Sequence, residues 1–176
     1  MTSYETNHSP PPVAQPAVDG VLAAFQACPL VGIGDHHGLA QESVYVDLVS
    51  DPRFARDVRN VVVEFGGAAS QHIVDRYVAG ESVRYEELRK VWSEVVGWVP
   101  TVLDLGLIRF YAAVRAANLH LPPEQRIRVW LGEPEIDWTK IKSSEELRAL
   151  LGSRDTHAAR IISDNILSKD KKALVI

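Results

Sequence analysis

"NVVVEFGG", residues 60–67, is the stretch whose reading decides the fold. Its first residues are β-branched and apolar at consecutive rather than alternate positions. A strand buried on both faces requires that pattern, and such strands belong to parallel sheets covered by helices. Three other short runs have a related character: "LVGIG" at 30–34, "IRVWLG" at 127–132 and "KKALVI" at 171–176. The segments between them have helical spacing. "AQESVYVDLVSD" separates the first two runs. "ASQHIVDRYVAG", "RYEELRKVWSEVVG" and "VLDLGLIRFYAAVRAANLH" form a helical insertion after the second, broken at Gly80 and at the turn over residues 97–100. "SSEELRALLG", with Ser143 or Ser144 as N-cap, and "RDTHAARIISDNILSK" precede the fourth. Strands joined through helices predict an α/β fold, a mainly parallel sheet flanked by helices with right-handed crossovers.

A chain of 176 residues suits one domain. Residues 1–17 are rich in proline and polar groups and have no hydrophobic period, so they read as a disordered leader to a single α/β domain over 18–176. The sequence stops on an apolar strand with no loop after it, which raises the expectation of a C-terminally truncated domain. Nineteen basic residues face 23 acidic ones, and no run or face concentrates the positive charge, so no nucleic-acid partner is expected. The single cysteine, Cys28, excludes an intramolecular disulfide and a thiolate metal cluster. The opening residues lack the basic start and apolar core of a secretion signal, and no apolar run approaches the ~20 residues that span a bilayer. The expectation is a cytoplasmic protein with no membrane partner.

In a parallel sheet, whatever follows each strand gathers along one edge. After the first strand, "GIGDHHGLAQE" (32–42) supplies Asp35, His36 and His37; after the second comes Glu64, then Gly66 and Gly67; after the third come Glu133, Glu135 and Asp137. Glu64 lies in a run that reads as core, where a charge needs a partner: an imidazole, a metal, a substrate donor, an arginine or the next helix's N-terminus. The two glycines permit a tight turn and close backbone approach. Adjacent histidines rarely hold one metal through both rings, so one is expected to work. His37, beside Gly38, is the choice, as a general base or a metal ligand whose tautomer a carboxylate fixes. Glu64 is the companion metal ligand. Glu42 either points back to the site or favours the positive end of its helix. His157 shares a segment with Arg154 and Asp155 and is expected on the surface or between helices. No G-x-S-x-G elbow, phosphate loop or H-E-x-x-H helix is present, and "GIGDHHG" lacks the third glycine of a dinucleotide fingerprint.

"VGIGDHHG", "VVVEFGG" and "RDTHAARII" resemble the erythromycin-esterase-like proteins and the wider group that includes ChaN-like haem-binding proteins and TIKI-type metalloproteases. In that group the first strand ends in Gly-Glu-x-His or Gly-Glu-x-x-His and the next in a glutamate. Gly34, Asp35 and His37 match the first form, Glu64 matches the strand-end glutamate, and Arg154, Asp155 and Ala158 resemble a helix of the esterase branch. Asp35 stands where the group has glutamate, Glu42 falls where the esterase pattern also has one, and no counterpart is seen of the histidine that the group supplies after a later strand. The resemblance implies a hydrolase-like protein in which His37 activates water, Asp35 and Glu64 orient it or help bind a divalent metal ion, and Glu42 supports them. The esterase branch implies an ester or lactone substrate, the metalloprotease branch a peptide. Two alternatives accompany it. One is a ChaN-like protein that binds haem or another ligand without turnover. The other is a non-catalytic truncated member whose unfinished sheet edge and helical region 84–118 pack on a partner.

Overall fold

The computed structural model describes residues 13–34, 42–95 and 104–176, with only the backbone of residues 42, 43, 104 and 105. The β-branched run becomes an inner strand, β2 (Asn60–Gly67). On one side it pairs with β3 (Arg128–Glu133), on the other with β4 (Ala173–Val175), and β1 (Leu30–Gly32) pairs with the far side of β4. The order is β1-β4-β2-β3 and every pairing is parallel, as the sequence predicts. The last strand is interior, with neighbours on both sides, so the expected unfinished edge at the end of the chain is not found. The first strand was expected to reach Gly34 and stops at Gly32, although the Ile33 amide still donates to Val175 O at 2.9 Å.

Both faces of the sheet are covered, which is why β2 must be apolar at successive positions. Val61 and Val63, with Val129, Leu131 and Leu174, face a large core. Leu48 of α2 (Glu42–Ser50), Val74 of α4 (Gln71–Val78), Trp92 of α6 (Lys90–Ser93) and Phe110 and Val114 of α7 (Asp104–Asn118) fill it. Val62, Trp130 and Ala173 point the other way, against Ile166 and the half-buried Ile161 and Ile162 of α9 (Arg154–Asn165). The remaining helices are α1 (Ala17–Ala24), α3 (Pro52–Asp57), α5 (Tyr85–Leu88) and α8 (Ser144–Gly152). Ser143 is the N-cap of α8 in a reciprocal capping box with Glu146. "RYEELRKVWSEVVG" forms the two short helices α5 and α6 where its spacing predicts one. No described helix is long and apolar enough to cross a membrane.

Amide side chains complete the sheet where strands run out. β3 is an edge strand, and its outward backbone groups would lack partners. Gln71 supplies them: its Nε2 donates to Val129 O at 2.8 Å and its Oε1 accepts from the Leu131 amide at 3.0 Å. Asn60, buried at the opposite end of β2, donates to Lys172 O at 2.9 Å and accepts from Trp130 Nε1 at 3.1 Å, so it ties β2, β3 and the approach to β4 together.

Gln71→Leu keeps the apolar bulk and removes both bonds to β3. Leaving a strand amide and carbonyl without partners is expected to cost about 2 kcal/mol, read in urea unfolding as a lower midpoint at unchanged m-value. A loss under about 0.5 kcal/mol would mean that solvent replaces the glutamine.

Candidate functional site

The carboxyl ends of all four strands open on one crevice of about 380 Å³. Gly32, Gly34 and Glu64 form part of its wall, with Glu133 and, from the first turns of α9, Arg154 and Asp155. An irregularity in β2 shapes it. Val63 pairs with Leu131 but the next pair is Gly67 with Glu133, so three residues of β2 stand against Gly132 alone. Such bulges bend a strand and redirect its side chains. Here the Glu64 amide turns to β4, donating to Ile176 O at 2.8 Å, and the Glu64 side chain is exposed. The expectation of a charge within the core therefore fails at Glu64, whose exposed side chain stands at the crevice wall.

Two glycines permit this geometry by close approach. A Cβ on Gly132 would lie 2.8 Å from Val63 O, and one on Gly67 would lie 2.6 Å from Glu94 O. Gly66 and Gly67 continue the strand, and of the tight turn and close backbone approach that they permit, Gly67 shows the close approach.

The buried carboxylate of this edge is Glu133, at 2% exposure. Arg154 Nε donates to its Oε1 at 2.5 Å and Arg154 Nη2 contacts the same oxygen. The hydrogen bond it donates to Glu133, outweighing burial, holds the Arg154 guanidinium pKa above its ordinary value, with the charges of Glu133, Glu64 and Asp155 adding attraction. Arg154 therefore stays charged, and its side chain keeps 35% exposure. Glu133 Oε2 is buried with no hydrogen-bond partner among the described residues. One turn along α9 from Arg154, His157 is half-buried and its Nε2 is likewise buried and unpartnered. Burial first, then the charge of Arg160, pushes the His157 pKa below the usual imidazole value, with Glu133 opposing them.

The other expected site residues divide clearly. Asp35, His36 and His37 lie outside the described residues, although Gly34, which precedes them, is part of the crevice wall. Glu42 is the first residue of α2, and its side chain also lies outside the description. Glu135 is exposed. Asp137 closes a turn of its own, accepting from Thr139 Oγ1 at 2.6 Å and pairing with Lys140 at 3.0 Å. Neither residue lines the crevice.

Among the described residues no three His, Cys, Asp or Glu are placed to hold a metal ion. One oxygen of Glu133 is engaged by Arg154, and that fixed positive charge at the crevice opposes a second cation. His37, one of the two residues that the resemblance implies for a metal, lies outside the described residues, and Glu64 lines the crevice. The importance of Glu133 and Arg154 together was missed from sequence. A strand-end acid in "IRVWLGE" and the arginine of "RDTHAARII" were both visible, but nothing in the sequence pairs residues 21 positions apart across a crossover.

No protein-family model matches the chain, and no curated protein matches it. The solved structure of the type III effector HopBA1 is similar to it, with a TM-score of 0.58 and 19% identity over 98% of this chain and 76% of that one. At that identity the likeness shows the fold alone.

Arg154→Ala would strand the buried Glu133 carboxylate. The expected loss is about 2–4 kcal/mol by chemical unfolding, below that of a wholly buried pair because Arg154 remains partly solvated, and Arg154→Ala combined with Glu133→Leu should recover most of it. His157 gives a separate pH signature. Its folded pKa lies below the 6.5 of an unperturbed imidazole, so its contribution is complete above pH 6.5 and falls as pH is lowered through 6.5 toward the folded value. Unfolding midpoints from pH 8 to 5 should therefore fall less steeply in His157→Gln than in the wild type.

Proposed function

We propose that this chain is a hydrolase of the erythromycin-esterase and TIKI type, cleaving an ester, lactone or peptide bond in the crevice at the carboxyl edge of the sheet. One observation carries the reading. The residues that underlie the resemblance are scattered through the sequence, yet Gly34, Glu64, Arg154, Asp155 and Ala158 all line the same crevice. His37 follows Gly34 by three residues, which is at most about 11 Å of extended chain.

In this reading His37 takes a proton from water, and the water oxygen attacks the carbonyl carbon of the substrate. Negative charge gathers on the carbonyl oxygen, and the fixed guanidinium of Arg154 is the positive group of the crevice available to meet it. The imidazolium then returns its proton to the leaving alkoxide or amine, giving an acid and an alcohol or amine and regenerating His37. Asp35 and Glu64 hold the imidazole and the water, with Glu42 in support. The substrate is a small molecule or peptide, and the exposed, unpaired Cys28 accords with a reducing, cytoplasmic compartment.

The test is turnover of a panel of aryl esters, lactones and peptides by the wild type, His37→Ala and Glu64→Gln, with elemental analysis and an absorbance scan on the same samples. Loss of kcat/KM by about 10²–10⁴-fold in His37→Ala, with circular dichroism unchanged, is the expected result. Stoichiometric haem without turnover would replace this reading with ligand binding. A wild type that turns over nothing and carries neither metal nor haem would leave the non-catalytic alternative.

A further inference from the structure

We infer that His157 is a positioning residue of the crevice: its Nε2–H donates to Glu133 Oε2, and Glu133, held on that side, fixes Arg154 from the other. Glu133 and Arg154 already meet through one carboxylate oxygen, leaving Oε2 buried without a donor. His157 Nε2 is the other buried unpartnered side-chain atom on this side of the sheet among the described residues. The two atoms are complementary, since a carboxylate oxygen only accepts and a neutral imidazole can carry its proton on either nitrogen.

Placement favours the pairing. Arg154 and His157 are three residues apart on α9, hence on one face, and Glu133 ends the strand on which that helix packs. A Cβ on Gly132 would be 3.7 Å from the Ala158 Cβ, so the first turns of α9 lie within van der Waals reach of the end of β3. The charged groups acting on the imidazole are Glu133 from β3 and Arg160 from its own helix, and burial, the largest effect, favours the neutral ring. A neutral donor can satisfy Oε2 without competing with the guanidinium for the carboxylate charge. A hydrogen bond between these two atoms closes a chain of three groups, His157 to Glu133 to Arg154, of which Glu133 and Arg154 line the crevice and His157 does not. Linked buried bonds of this kind stiffen one another, which is what a guanidinium awaiting a developing charge needs.

This deepens the hydrolase reading, on which the role of Arg154 toward substrate rests, but the three-group unit is testable without substrate. Nitrogen-15 NMR of the wild-type imidazoles near neutral pH reads the tautomer directly. The expected result is His157 protonated at Nε2, shifting toward the Nδ1–H form in Glu133→Gln. Arg154 Nε–H exchange with solvent is the second measurement. It should be about tenfold faster in His157→Leu, the effect of losing one charge-assisted hydrogen bond, and near the wild-type rate in His157→Gln, whose amide can donate from the same place. His157 protonated at Nδ1 in the wild type, or equal Arg154 exchange rates in the leucine and glutamine variants, would overturn the proposal. If His157→Leu does not fold, the wild-type tautomer alone decides it. None of these readouts depends on turnover, so failure of the hydrolase reading leaves them intact.

Discussion

The insertion of β4 between β1 and β2 is the constraint on which the rest of the structure depends. Residues 173–175 pair with Leu30, Val31 and Gly32 on one side, and Leu174 and Val175 pair with Val61 and Val62 on the other. β1 and β2 are joined only through this strand. The first and last described strands must therefore meet before the sheet is continuous, a loop closure of about 140 residues whose entropic cost rises only slowly with length but which slows folding. The crevice inherits the same dependence. Ile33 donates to Val175 O, Ile176 donates to Val62 O, and the Glu64 amide donates to Ile176 O, so the carboxyl edge takes its form from the final residues.

A second economy lies in α9. It covers one face of the sheet with Ile161 and Ile162 and carries Arg154 and His157 in its first turn. Core packing and the polar edge are therefore coupled: α9 packs on β3, and that packing brings Arg154 to Glu133. The pair is stable because the carboxylate is almost wholly removed from water while its counter-charge is held at hydrogen-bond distance; either group alone would be costly.

The polar residues of the sheet follow one rule. Asn60 and Asn118 are buried and fully bonded, Asn118 donating to Ile127 O and Val78 O and accepting from the Ile127 amide. Gln71 does the same at the outer side of β3. Each closes the backbone of a strand end or edge. The exceptions around the crevice are Glu133 Oε2 and His157 Nε2, and they stand out because buried polar atoms elsewhere in the sheet have their partners.

The sequence by itself determined the class of fold, the parallel direction of the strands and the edge on which polar residues gather, because consecutive β-branched residues and helical spacing are local signals that need no partner to be read. It also marked the strand ends near Asp35, Glu64 and Glu133. What the tertiary structure alone decided was which acid is buried. Glu64 stands exposed at the crevice wall, while Glu133 sinks beside Arg154, and Asp137 turns back on its own loop. It also set the strand order, with the last strand in the interior. Those outcomes depend on register and on the distance between a helix and a strand. Both are set by side chains far apart in sequence filling one volume, which no window along the chain contains.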